Sequence, residues 1–152
     1  MTKPDFMMET YIRCTQDALW DALTSAEAVV NYDFLGQSAR RDGDTLIYMT
    51  PDGFETLHSR EITLDPKTRI VTTFEPKWEP DAKTSEVTYL IAVEGDYCKL
   101  TVEHRGLAHD PSGGTADGWV RTLSGLKTWL ETGQPMHFGG DHLWAEHEGE
   151  AP

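Results

Sequence analysis

The stretch Thr115-Ala-Asp-Gly-Trp-Val-Arg-Thr-Leu-Ser-Gly-Leu-Lys-Thr-Trp-Leu-Glu-Thr-Gly133 decides how the rest of the chain reads. Trp119, Leu123, Leu126 and Leu130 recur at i, i+4, i+7 and i+11, one stripe of a 3.6-residue period, which predicts a long amphipathic helix over about 116–132. Asp117 places a negative charge in its first turn, and Gly133 follows the last apolar residue as a left-handed cap would. Gly118 and Gly125 each cost about 1 kcal/mol relative to Ala inside a helix. Their presence predicts that something approaches the helix closely there.

At 152 residues the chain suits one domain able to bury a sizeable core, and we expect a single domain over 1–135 with a tail over 136–152. The formal net charge is -13 and no basic stripe occurs, which argues against a nucleic-acid or an anionic-membrane partner. No apolar run approaches the roughly 20 residues of a membrane span, and residues 1–6 lack a signal-peptide layout, so the cytoplasm is the expected location. Cys14 and Cys98 are far apart in sequence and outside any CxxC pattern, and they read as reduced structural thiols.

Before the helix the period differs. Residues 8–13 are rich in strand formers, Thr15 offers an N-cap to a helix over 16–23, and 25–30 reads as a second short helix. From about 36 to 106 the period is two, with Gly, Pro, Asp and Lys turns between strands expected at 37–41, 45–50, 54–64, 69–75, 85–94 and 98–105. Alternation puts Val87, Tyr89, Ile91 and Val93 on one face, and Leu100, Val102 and His104 on one face of the following strand. An antiparallel sheet with one apolar face must bury it, and only the late helix is long and apolar enough. The expected fold is therefore α+β of the helix-grip kind. A curved antiparallel sheet of about six or seven strands wraps a long C-terminal helix, and two short helices follow the first strand.

Four pieces in this order carry a resemblance: Trp20-Asp-Ala-Leu-Thr24, Leu64-Asp-Pro66, Lys99-Leu-Thr-Val-Glu-His104, and Gly118-Trp119 through Leu126-Lys127 to Leu130-Glu-Thr-Gly133. Over about residues 8–133 the chain resembles the family homologous to the C-terminal domain of the activator of heat shock protein 90 ATPase, within the START-like, birch-pollen-allergen-like (Bet v 1-like) superfamily. A tryptophan usual after the second helix is Tyr32 or Phe34 here, and the segment before Asp44 is shorter than usual. The resemblance implies a cavity between sheet and helix without naming its ligand. Relatives in the superfamily bind lipids, hormones or polyketides there, and a few are cyclases or aromatases. The co-chaperone activity of the namesake also involves a separate N-terminal domain, for which this length leaves no room.

The expected cavity lining is Tyr48, Tyr89, Ile91, Val102, His104, Trp119, Leu123 and Leu126. Among these, His104 could shuttle a proton or hydrogen-bond a polar ligand atom, although a satisfied core histidine is the commoner role. Tyr48 and Tyr89 could offer hydroxyls to a ligand, and Trp119 could line the cavity, whereas locking helix to sheet is what a tryptophan there more often does. His137, His142 and His147 lie beside Asp141, Glu146 and Glu148, but a spacing of five does not gather them on one helix face, so no metal site is assigned. Met136, Phe138, Leu143 and Trp144 are unusual in a free tail and predict packing on the domain or on a second copy. There is no GxSxG, HExxH or glycine-rich phosphate loop, and scattered carboxylates such as Asp5, Glu9, Asp17 and Asp21 form no pattern. No cofactor is implied, and the residues weigh against an enzyme without closing the question.

Three functions follow. First is a domain binding a small hydrophobic molecule between sheet and helix. Second is a protein-interaction or co-chaperone-like module whose acidic surface meets a basic protein partner. Third is a cofactor-free, cyclase-like enzyme using His104 or Tyr89. A homodimer is compatible with each.

Overall fold

A computed structural model describes residues 3–33, 38–78, 82–108, 110–112 and 114–136. Its first strand, β1 (Phe6–Ile12), alternates strictly, with Phe6, Met8, Thr10 and Ile12 turned inward and Met7, Glu9 and Tyr11 outward. Thr15 then caps α1 (Gln16–Thr24), its Oγ1 accepting from the Ala18 amide at 3.0 Å, and Leu19, Ala22 and Leu23 go into the core. The second short helix is a 3-10 segment, Ala26–Asn31. It has no side-chain cap and two consecutive valines, conditions under which a short stretch settles for i+3 bonds.

Six further strands follow: β2 (Ser38–Asp42), β3 (Thr45–Met49), β4 (Glu55–Asp65), β5 (Arg69–Pro76), β6 (Ser85–Glu94) and β7 (Tyr97–Arg105). All neighbours are antiparallel, and the order across the curved sheet is β1-β7-β6-β5-β4-β3-β2. The meander runs in chain order from β2 to β7, and β1 closes onto β7 rather than β2. Register breaks at Tyr48/Met49 and Glu61/Thr63 mark bulges, devices that bend and twist a strand.

The sequence stripe becomes α2 (Gly114–Thr132), which lies against β1, α1 and the 3-10 segment. Trp119, Leu123 and Leu126 are buried against Ile12, Leu19, Val29, Val87, Leu100 and Val102. Gly133 ends the helix with φ +77° and donates its amide to the Trp129 carbonyl at 2.8 Å. At Gly125 the close approach is backbone: a Cβ there would sit 2.5 Å from the Tyr32 carbonyl oxygen. One alternation reading needs correction. Val93 shares the register of Val87 and Ile91, yet it is 54% exposed, one pair from the end of the β6–β7 ladder at Glu94↔Tyr97.

Both cysteines are free, with the Cys98 thiol 3.6 Å from the Cys14 carbonyl oxygen. Burial and then the neighbouring Cys98 push the Cys14 thiol up to about 12. Residues 137–152 lie outside the described residues, and so do His137, Phe138, His142, Leu143, Trp144 and His147. Met136 is within reach of α2, its sulfur accepting from Thr128 Oγ1 at 3.6 Å. Among the described residues no group of His, Cys, Asp and Glu could hold a metal, and no helix is long and apolar enough to cross a membrane.

Candidate ligand site between sheet and helix

Strand alternation brings His104 inward at the end of β7, where it is wholly buried. Two partners fix its chemistry. The indole of Trp119, a donor only, gives its Nε1–H to His104 Nδ1 at 3.0 Å. Nδ1 must therefore carry a lone pair, the ring is neutral, and the proton on Nε2 points to Ser85 Oγ at 2.7 Å. Burial lowers the His104 pKa to about 4, with the charge of Asp5 pulling weakly the other way. Both ring nitrogens are thus occupied by protein groups. Phe74 closes over the imidazole edge-on at 4.8 Å between centroids, which locks α2 to β5, β6 and β7 at one point.

Ile91, Val102, Leu123 and Leu126 join His104 and Trp119 in this sealed region, each under 10% exposed. Tyr48 and Tyr89 differ. Both sit on inward registers, Tyr48 opposite Ala39 and Leu57, Tyr89 opposite Ile70 and Val102. Protein atoms crowd around both rings, yet a water-sized sphere still reaches them. Tyr89 meets Trp119 edge-on at 6.0 Å, and Trp119 lies 6.5 Å from Phe74, giving this region aromatic walls.

The neighbouring polar groups are mostly spent. Tyr32, from the end of the 3-10 segment, donates its hydroxyl to the Ala22 carbonyl at 2.9 Å and stacks on Trp129. Arg41 and Glu61 form a two-pronged ion pair at 2.9 and 3.0 Å, and Arg41 also reaches the carbonyls of Thr24 and Gly43. By contrast, the hydroxyls of Tyr48 and Tyr89 have no hydrogen-bond partner among the described residues. Nor is either sealed from water, since no buried side-chain polar atom there lacks a partner. Burial raises the phenol pKa values of Tyr32, Tyr48 and Tyr89. Smaller contributions come from the phenols acting on one another and from Asp33.

Residues 13–131 match the family described as Activator of Hsp90 ATPase homolog 1-like protein. The chain belongs to that family. Solved structures agree with the fold of this Activator of Hsp90 ATPase homolog 1-like chain. A protein from Chromobacterium violaceum is 15% identical with a TM-score of 0.69, over 83% of this chain and 96% of that one. The Aha1 dimer from Colwellia psychrerythraea is 14% identical, TM-score 0.66, over 84% and 96%. An HSP90 activator from Plasmodium falciparum is 17% identical, TM-score 0.65, over 86% and 96%. At such identities the likeness speaks for the fold alone. No curated protein matches the sequence.

Ser85, Phe74, Tyr32 and Asp33 were not among the lining residues expected from sequence. Ser85 was legible in principle. Glu94-Gly-Asp-Tyr97 makes a two-residue hairpin turn, which sets the β6–β7 register and brings Ser85 diagonally to His104. Phe74 and the Tyr32–Asp33 pair were not, because their place depends on how far the sheet curls and where the 3-10 segment ends.

Proposed function

We propose that this chain binds a small apolar molecule between the inner face of β3–β6 and α2, against Tyr48 and Tyr89. The observation that carries this reading is the pair of deep, water-reachable phenol hydroxyls that no protein group uses. A packed core satisfies its polar atoms internally, as His104, Ser85 and Trp119 do, whereas a binding site keeps a few aimed at the ligand. Ile91, Val102, His104, Leu123 and Leu126 form the floor beneath that space, and Trp119 is shared between the two. The test is native mass spectrometry of the protein as purified. A noncovalent mass that leaves on denaturation is the expected result, and a bare chain together with failure to take up any apolar probe would overturn the reading.

A second reading is an interaction module. Its support is the family itself, together with the position of β1 and β2 at the two ends of the sheet and the exposed Met7 and Tyr11 on β1. Affinity capture on a basic protein partner, and a dimer mass in the same spectrum, are its expected signs. The cytoplasm is the compartment proposed for either function.

A further inference from the structure

Building on the ligand-binding reading, we propose that the site selects an uncharged apolar molecule bearing a carbonyl oxygen, which accepts the hydrogen bonds Tyr48 and Tyr89 leave unused, and that it rejects carboxylates. The polar groups of the region fall into two kinds. Tyr32, Ser85, His104 and Trp119 are committed to one another or to backbone, which leaves the two phenols, with the smaller Ser59 and Thr72 hydroxyls on the same face, as the donors without a hydrogen-bond partner among the described residues. A carbonyl oxygen has two lone pairs and no proton, the complement of such donors, and the walls offered by Phe74, Tyr89 and Trp119 suit an apolar body.

Charge makes the selection one-sided. Arg41 is the only cation that the register puts on the inner faces of β2–β6 among the described residues. It is already neutralised by Glu61 and held by two backbone carbonyls. On α2, Lys127 is spent on the Tyr11 carbonyl and on Glu131. Asp33 adds negative potential near the three tyrosines. A carboxylate entering here would lose its hydration and find no uncommitted counter-ion among the described residues. The phenols, kept protonated by burial, remain donors across the physiological pH range.

Two fluorescent probes with one hydrocarbon body separate these effects: cis-parinaric acid, anionic at pH 7.5, and its uncharged methyl ester. Fluorescence titration of the full chain should give one ester site per chain, at least tenfold tighter than the acid. The Tyr48→Phe/Tyr89→Phe variant keeps ring shape and removes both hydroxyls. It should weaken the ester by about tenfold, two ordinary hydrogen bonds at about 1.4 kcal/mol per decade. Equal affinity for acid and ester, or an ester affinity that the double variant leaves unchanged, overturns the selectivity while the binding reading stands. Failure of the folded wild-type chain to bind either probe overturns both. If the double variant does not fold, as judged by circular dichroism, the single variants and the wild-type acid-to-ester ratio decide in its place.

Discussion

His104 shows how one side chain can be read for its charge state from geometry alone. The indole proton on Nδ1 forbids the imidazolium, so protonation must break the Trp119 bond. The native pKa of about 4 lies below the unfolded value near 6.5, so the unfolded chain takes up the proton first. The stabilising contribution is whole above about pH 6.5 and is lost as pH falls towards 4. Chemical denaturation at pH 7 and pH 5 should differ by roughly 2 kcal/mol from this residue. A His104→Gln variant offers an amide oxygen to Trp119 and an amide proton to Ser85 without titrating, and it should lack that part of the difference. Ser85→Ala, which strands the Nε2 proton in the core, should cost about 1–3 kcal/mol at pH 7.

At the scale of elements, α2 was the most legible part of the chain because its stripe, its Gly133 cap and the close approach at Gly125 agree with one another. Gly125 makes this testable. Ala is the better helix former by about 1 kcal/mol, but its methyl would meet the Tyr32 carbonyl, which is backbone and cannot swing away. Gly125→Ala should therefore destabilise the protein by about 1–3 kcal/mol in a thermal melt, against the propensity scale. Val120→Ala, on the exposed face of the same helix, should be close to neutral. Thr15→Ala removes the α1 cap and should cost about 1 kcal/mol. The strands were legible to within a residue or two wherever a turn residue bounded them. The 3-10 segment was less so, since six residues carry too little periodicity to distinguish helix types.

At the scale of the whole molecule, the inner face of the sheet holds residues that are wholly buried beside others that are only partly so, and this difference was hidden in the sequence. Periodicity assigns a residue to the inner face of a sheet but does not say whether the facing helix comes down on it. Val102 and Tyr89 pair directly across β6 and β7, yet one is sealed and the other is not. Among its neighbours α2 contacts β1, and the 3-10 segment, which lies over β2, meets α2 where the Tyr32 carbonyl approaches Gly125. Alternation counts one dimension, and the position of a cavity depends on the other two.

The place of β1 in the sheet has a consequence for synthesis. Its partners run from Cys98 to His104, so every ladder bond it makes spans some ninety residues of chain. At roughly 5–20 residues per second, the nascent β1 waits about 5–20 s for β7, and longer for the Lys127 clamp on the Tyr11 carbonyl. During that interval Phe6, Met8 and Ile12, turned inward in the finished fold, belong to an unpaired apolar strand, the kind of segment that chaperones hold. Nascent chains halted before residue 97 should be cut by protease within residues 6–12, while those released after Thr132 should resist. A strand made well before its partner is among the last to find its place.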